Sequence, residues 1–153
     1  PPLFFFHAEF AIRDWSVTGV QSCALPILRA GGIDFTARDL QRKFREAGNP
    51  WELCKGFDNS AAIGTFISLE QAGGDLQNLD FHLDIDGCEV QRGNTADMLF
   101  KIDDIIAYVS RFMTLKIGDL LFTGTPAGVG PVSVGQHLQG YLGGEKLLDF
   151  HIR

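Results

Sequence analysis

Cysteine is scarce and unpatterned. Cys23, Cys54 and Cys88 are an odd set with no CxxC spacing, which speaks against a disulfide framework and against a cysteine-built zinc site. Basic charge is in deficit: 13 Lys and Arg stand against 19 Asp and Glu, giving a formal net charge of −6. A nucleic-acid binder would show a basic face, so no nucleic-acid partner is expected. No apolar run approaches the roughly 20 residues needed to span a bilayer, so no membrane partner is expected either. Internal repeats and low-complexity linkers are also lacking. What remains is ordinary for one reduced, cytoplasmic domain, since 153 residues at 45% hydrophobic content suffice for a core. Glycine is the excess, with 18 residues gathered at turns and in one late loop, where they mark tight backbone geometry.

The first 27 residues read differently from the rest. Pro1 to Phe6 is apolar, but no basic residue precedes it and His7 and Glu9 follow at once, so it is not a signal peptide. A short buried strand is the simpler alternative. Val17 to Ile27 resembles the conceptual translation of a common sequencing-library adapter, differing at Ser22. His7 to Asp14 resembles the translated outer handle of that adapter, agreeing at Ala8, Glu9, Ile12, Arg13 and Asp14. The expectation is therefore a non-native leader over 1–27 and a natural sequence over 28–153 that begins near Leu28 without its own N-terminal portion.

From Leu28 onward the elements are legible. Thr36 to Gly48 predicts a helix, with Leu40 and Phe44 on one face and Arg38, Arg42, Lys43, Arg45 and Glu46 on the other. Asp34 or Thr36 can cap its start, Gly48 suits its C-terminal stop, and Pro50 forbids continuation. Ile63 to Ser68 predicts a strand. Phe81, Leu83 and Ile85 alternate with His82, Asp84 and Asp86, and Asp86-Gly87 turns the chain into Cys88 to Gln91, a hairpin. Ile102 to Met113 predicts a second helix with Ile102, Ile105, Ile106, Val109 and Phe112 on one face. A strand at Leu120 to Phe122 follows, and two late strands, His137 to Leu142 and Lys146 to Ile152, are joined by Gly143-Gly144. The expected class is mainly β (α+β), an antiparallel core with two or three helices.

Thr123 to Pro131 is a glycine loop. It is not a Walker A loop, which needs Gly-Lys-[Ser/Thr] opening a helix, nor a dinucleotide fingerprint, because Pro131 and a strand follow. Two readings stay open. The loop is either a plain connection between strands or a cradle whose main-chain N–H groups, with Thr123 and Thr125, hold the carboxylate of a small acid.

Four blocks carry a resemblance. They are Asp34-Phe35-Thr36-Ala37-Arg38-Asp39-Leu40-Gln41, Pro50-Trp51-Glu52-Leu53-Cys54-Lys55-Gly56-Phe57-Asp58, Thr95-Ala96-Asp97-Met98, and Gly118 to Gly130. In order and spacing they resemble the fumarylacetoacetate hydrolase superfamily, most closely its acylpyruvate hydrolase branch, over essentially all of Leu28 to Arg153. The resemblance implies a mixed β-sandwich or roll, a Mg²⁺ or Mn²⁺ cofactor, and a homodimer in the full-length family. It implies Asp34 as a metal ligand, which suits a hard cation. Arg38 and Gln41 would contact substrate from the first turns of the helix, Lys55 would be catalytic, and Thr125 would sit near substrate.

The implied chemistry is cleavage of a 2,4-dioxo acid to pyruvate and a carboxylic acid through an enolate, with the metal as Lewis acid and Lys55 adding positive charge. Oxaloacetate decarboxylation and dienoate isomerisation or hydration use related enolates and are the near alternatives. A non-catalytic small-acid-binding module is the alternative of another class. The sequence departs from the family pattern in two respects: the Glu-x-Glu pair that supplies two more metal ligands occurs nowhere in the chain. The upstream His–Glu pair that orients water is missing as well, and His7 and Glu9 of the suspect leader are not recruited. The chain as written is therefore expected to have little activity. Outside the blocks, His82, His137 and His151 are expected to be solvent-facing or packing residues, since none shows metal-ligand spacing. Cys54 and Cys88 are expected to be small core residues, and Asp103-Asp104 favourable charge in a helix's first turn.

Overall fold

The fold is that of a computed structural model, and it describes residues 6–12, 27–68, 71, 75–116 and 118–153, with the backbone alone for 6–12 and 27–29. Two four-stranded sheets carry the chain. The first is ordered β3-β2-β1-β6 and contains β1 (Phe6–Ile12), β2 (Ile27–Asp34), β3 (Ala61–Ile63) and β6 (Leu120–Phe122). The second is ordered β5-β4-β7-β8 and contains β4 (Asp80–Ile85), β5 (Cys88–Asn94), β7 (His137–Leu142) and β8 (Glu145–His151). Every pairing is antiparallel. With helices α1 (Arg38–Ala47), α2 (Glu52–Lys55) and α3 (Ile102–Val109), the expected mainly β class with a few helices is what the chain forms. Part of the leader set aside on sequence grounds, Phe6–Ile12, forms β1 between β2 and β6; Cys23 and most of the adapter-like stretch lie outside the described residues.

The core lies between the sheets. Leu79, Phe81, Leu83, Ile85, Leu138 and Leu142 pack against Ile33 and Phe35, as the period-2 alternation of β4 and β7 dictates. Both hairpins of the second sheet use turns with two positive-φ residues, Asp86 (52°) with Gly87 (78°) and Gly143 (59°) with Gly144 (88°). That is type I′ geometry, whose twist matches the flanking strands.

Two β-bulges interrupt the ladders of the second sheet. Leu83 pairs with Gln91 and Asp84 with Glu89, so Val90 is an extra residue in β5. Gly140 pairs with Leu148 and Tyr141 with Lys146, so Leu147 is extra in β8. A bulged carbonyl leaves its ladder and is free for other partners. The Leu147 carbonyl accepts from Thr65 N–H at 2.7 Å, while Gly64 N–H donates to Gly31 of β2 at 2.9 Å. A Cβ at Gly64 would lie 2.3 Å from the Leu147 oxygen, so glycine is required where the sheets are stitched together. This corrects the strand expected over Ile63 to Ser68: the continuous ladder stops at Ile63, leaving one isolated bridge at Ile67, because the next residues leave the first sheet for the bulge in β8.

The second helix is also shorter than expected. It ends at Val109 and unwinds into turns, in which Phe112 and Met113 N–H both donate to the Val109 carbonyl. Phe112 consequently leaves the apolar face and is 68% exposed, whereas Ile102 is buried. Asp103 and Asp104 occupy the first turn of α3, as expected.

Candidate active site

Asp34 is the last residue of β2. Its carboxylate Oδ2 accepts a charge-assisted hydrogen bond from Lys55 Nζ, and the same ammonium donates to Thr36 Oγ1 at 2.8 Å. Lys55 reaches them because α2 is a single turn closing on Gly56, and because α1 and α2 are joined where Ala37 N–H donates to the Cys54 carbonyl at 3.0 Å. Phe35 N–H is bonded to the Ser60 carbonyl, which fixes the chain on the far side of α2. The Asp34 and Lys55 side chains keep 22% and 32% of their exposure. Thr36 is fully buried. The result is a fixed positive charge at the rim of a sheet, held by an anion and a hydroxyl.

These contacts correct the expected helix cap. The N-cap position is Ala37, with no side-chain cap bond, because Asp34 and Thr36 spend their oxygens on Lys55. The C-terminal stop is as expected, with Gly48 left-handed at φ 67° and bonded back to Arg45 and Phe44. On the first turn of α1, Arg38 Nη1 donates to Gln41 Oε1 at 2.6 Å. Gln41 is buried, so it braces the half-buried Arg38 guanidinium.

Thr125 is placed by the second sheet. Gln91 is only 2% exposed, and its Nε2 lies within 3.1 Å of Thr125 Oγ1, 3.2 Å of the Pro126 carbonyl and 3.5 Å of the Ala127 carbonyl. Gly128, at φ 99°, lets the loop lie on the bulged Val90, since a Cβ there would come within 2.3 Å of the Val90 oxygen. The loop is therefore anchored on β5 at Val90 and Gln91. Thr123 to Ala127 also form one wall of a cavity of about 540 Å³ whose apolar wall is Phe81, Met98, Leu99, Phe100 and Ile105.

Strand directions relate the loop to Asp34. Both β2 and β6 run antiparallel to β1, which separates them, and Phe122 and Ala30 meet the same β1 residue, Glu9. Asp34 and the chain leaving β6 after Phe122 thus both head toward the same end of the sheet, with β1 between the two strands.

Thr36 and Gln91 are missing from the sequence-based set. Thr36 had a signal, being two residues from Asp34 in the same block. Gln91 had none, because it reads as an outward polar residue until the bulge at Val90 turns it inward. Cys54 is buried and its Sγ donates to the Trp51 carbonyl at 2.9 Å, a structural role as expected. Cys88 is exposed, contrary to expectation, because it is the first residue after the hairpin turn. His137 bonds Asp149 at 2.6 Å and stacks on His151, a packing role.

For a hard divalent cation Asp34 has the right donor chemistry, but one carboxylate fills at most two of six positions. Among the described residues, no group of three ligating side chains includes Asp34. The described residues alone therefore do not enclose such an ion.

Known proteins resemble this chain in sequence and in fold. The family described as fumarylacetoacetate (FAA) hydrolase C-terminal matches residues 30–150. The oxaloacetate tautomerase YcgM of Escherichia coli is 49% identical over 106 residues, covering 69% of this chain and 48% of its own length. Fumarylpyruvate hydrolase from Pseudomonas aeruginosa, solved in complex with Mn²⁺ and pyruvate, superposes with a TM-score of 0.82 at 34% identity, covering 99% of this chain and 65% of that one. The 5-carboxymethyl-2-hydroxymuconate delta-isomerase from Mycobacterium smegmatis superposes with a TM-score of 0.80 at 27% identity, over 97% and 57% of the two chains. The chain spans about half the length of the curated relatives it matches. By sequence and by fold it belongs to the fumarylacetoacetate hydrolase family, through the family's C-terminal domain.

Proposed function

We propose that this chain carries the enolate-handling part of a metal-dependent hydrolase that cleaves acylpyruvate-type 2,4-dioxo acids to pyruvate and a carboxylic acid. The observation that supports this most is the Lys55 ammonium, pinned by Asp34 and the buried Thr36 at the end of a sheet. As the carbon–carbon bond breaks, negative charge collects on the 2-oxo oxygen, and a preorganised cation there lowers the barrier. Arg38, braced by Gln41, takes the substrate carboxylate, and Thr125 with the glycine loop closes on the remaining oxygens. Asp34 is the residue that would hold Mg²⁺ or Mn²⁺, which supplies Lewis-acid polarisation when bound. Asp34 is the carboxylate that the described residues bring to this site, and with it alone turnover by this chain is slow. We also take the native state to be a homodimer, a reading that the exposed Leu99, Phe100, Tyr108 and Met113 support.

A second reading within the family has its own support. The 49% identical relative is named an oxaloacetate tautomerase, and an isomerase shares the fold. Oxaloacetate decarboxylation, or tautomerisation or isomerisation of related acids, needs the same stabilised enolate and no attacking water, while hydration of a dienoate uses a related enolate and does need one. The test is to offer acetylpyruvate and oxaloacetate in parallel with Mn²⁺, following pyruvate release and loss of the enol absorbance. Pyruvate from acetylpyruvate, lowered about 10²-fold or more by Lys55→Met as for loss of an oxyanion donor, supports the hydrolase. Turnover of oxaloacetate alone transfers the chain to the second reading. Binding of oxalate with no turnover and no metal dependence would leave only a small-acid-binding module.

A further inference from the structure

The solvent face of the second sheet holds a group of ligating side chains that the active-site reading does not use. One donor atom each of His82, Asp84 and Glu89 lies within 4.8 Å of the others. The sequence showed no metal-ligand spacing at His82; the fold creates it. His82 and Asp84 are i, i+2 on β4 and so share a face, and the register set by the Asp86-Gly87 turn places Glu89 of β5 opposite Asp84.

Two further observations give the group direction. Asp84 Oδ1 is buried and accepts no hydrogen bond. A carboxylate oxygen shut off from water without a donor is unfavourable, so it calls for a partner. That same oxygen lies 4.0 Å from His82 Nε2. The His82 ring is held in place by stacking on Tyr141, with centroids 4.4 Å apart and planes 10° from parallel. One ligand is thus oriented in advance, and the other presents an oxygen that accepts no hydrogen bond.

We infer that His82, Asp84 and Glu89 form a site for a borderline divalent cation of the Zn²⁺ class, separate from the Asp34 centre. The donor set decides the class. One imidazole with two carboxylates suits Zn²⁺, Co²⁺ or Ni²⁺ far better than Mg²⁺, which prefers oxygen alone. Metal–ligand bonds of about 2.0–2.2 Å at a tetrahedral angle place donors roughly 3.4 Å apart, so the 4.0 Å pair closes by less than an ångström of side-chain movement. Three protein ligands leave a fourth position for water.

Arg92 is the competitor. Its Nε and Nη2 both donate to Glu89, which holds the Glu89 carboxyl below the usual range and keeps it ionised. The pair is exposed, so the guanidinium can swing away while Glu89 turns toward His82. Bound metal would replace Arg92 as the positive charge on this face and would tie β4 to β5 at the bulge that positions Gln91.

The test is Zn²⁺ titration of the whole chain by calorimetry in a Cys88→Ser background, because the exposed Cys88 thiol adjoins Glu89. The expected result is one equivalent bound, weakened at least ten-fold by His82→Ala and by Asp84→Asn. Arg92→Ala tightens binding, and His137→Ala leaves it unchanged. Circular dichroism identifies any variant that has not folded, and for such a variant the assignment passes to Co²⁺-induced paramagnetic broadening of the parent chain, expected at His82, Asp84 and Glu89. Zn²⁺ binding that is absent, or that is indifferent to both His82→Ala and Asp84→Asn, overturns the proposal, as does Co²⁺ broadening centred elsewhere.

Discussion

The contact between Lys55 and Asp34 joins the turn at α2 to the end of β2, and its strength can be bracketed. Fully exposed ion pairs contribute about 0.2–1 kcal/mol, whereas breaking a fully buried one costs about 3–5 kcal/mol. The two side chains here are 32% and 22% exposed, which places the pair between those limits. A coupling of about 1–2 kcal/mol is expected from charge-assisted bonding at that depth. Lys55→Met also takes a donor from the fully buried Thr36 hydroxyl, which brings its total cost to about 2–3 kcal/mol. In a chain of 153 residues that is a fall in Tm of roughly 5–10 °C. The assay is a double-mutant cycle of Lys55→Met and Asp34→Asn by urea denaturation, because each residue has other contacts and only the cycle isolates the pair. A coupling under about 0.3 kcal/mol, within the usual additivity error, would refute the view that this pair organises the site.

Other expectations rest on single contacts. Gly128→Ala meets the Val90 carbonyl at 2.3 Å and adopts φ 99°, so it should destabilise by more than about 2 kcal/mol, while Gly124→Ala, with open space around it, should lose less; urea midpoints compare them. Gln91→Leu removes the donor shared by Thr125, Pro126 and Ala127, and hydrogen exchange over 123–128 should accelerate at least ten-fold, which corresponds to about 1.4 kcal/mol. Asp149 is held below its ordinary 3.8 by bonds from His137 and then from Lys146. Since the folded form resists protonation, its stabilisation is present at neutral pH and is lost as pH falls below that ordinary value. Asp149→Asn should therefore flatten the acid limb of a stability–pH curve and leave the region above pH 8 with no new slope.

Which features the sequence revealed depended on how local their causes were. The Asp86-Gly87 and Gly143-Gly144 hairpins were readable because a type I′ turn needs positive φ at two adjacent positions, and few residue pairs permit it. The stop at Gly48 was readable for the same reason. Asp34 and Lys55 were suggested only through their motif blocks; nothing in their 21-residue separation says that an ammonium on one short helix will reach a carboxylate at a strand end. The bulges at Val90 and Leu147 were invisible, since any residue can be the extra one. They account for two of the differences found, the truncated β3 and the inward Gln91. Phe112 was misplaced because helical periodicity was extended past the point where the backbone stops being helical.

Oxalate has the shape and charge of the pyruvate enolate, so its binding reports on the site without requiring turnover. Calorimetric titration of oxalate, with and without millimolar Mg²⁺ and in Lys55→Met, measures the claim that Asp34 and Lys55 serve one metal-assisted enolate site. The account predicts binding that strengthens with Mg²⁺ and weakens at least ten-fold in Lys55→Met, about 1.4 kcal/mol. Oxalate that binds equally well without the metal and in Lys55→Met would contradict it.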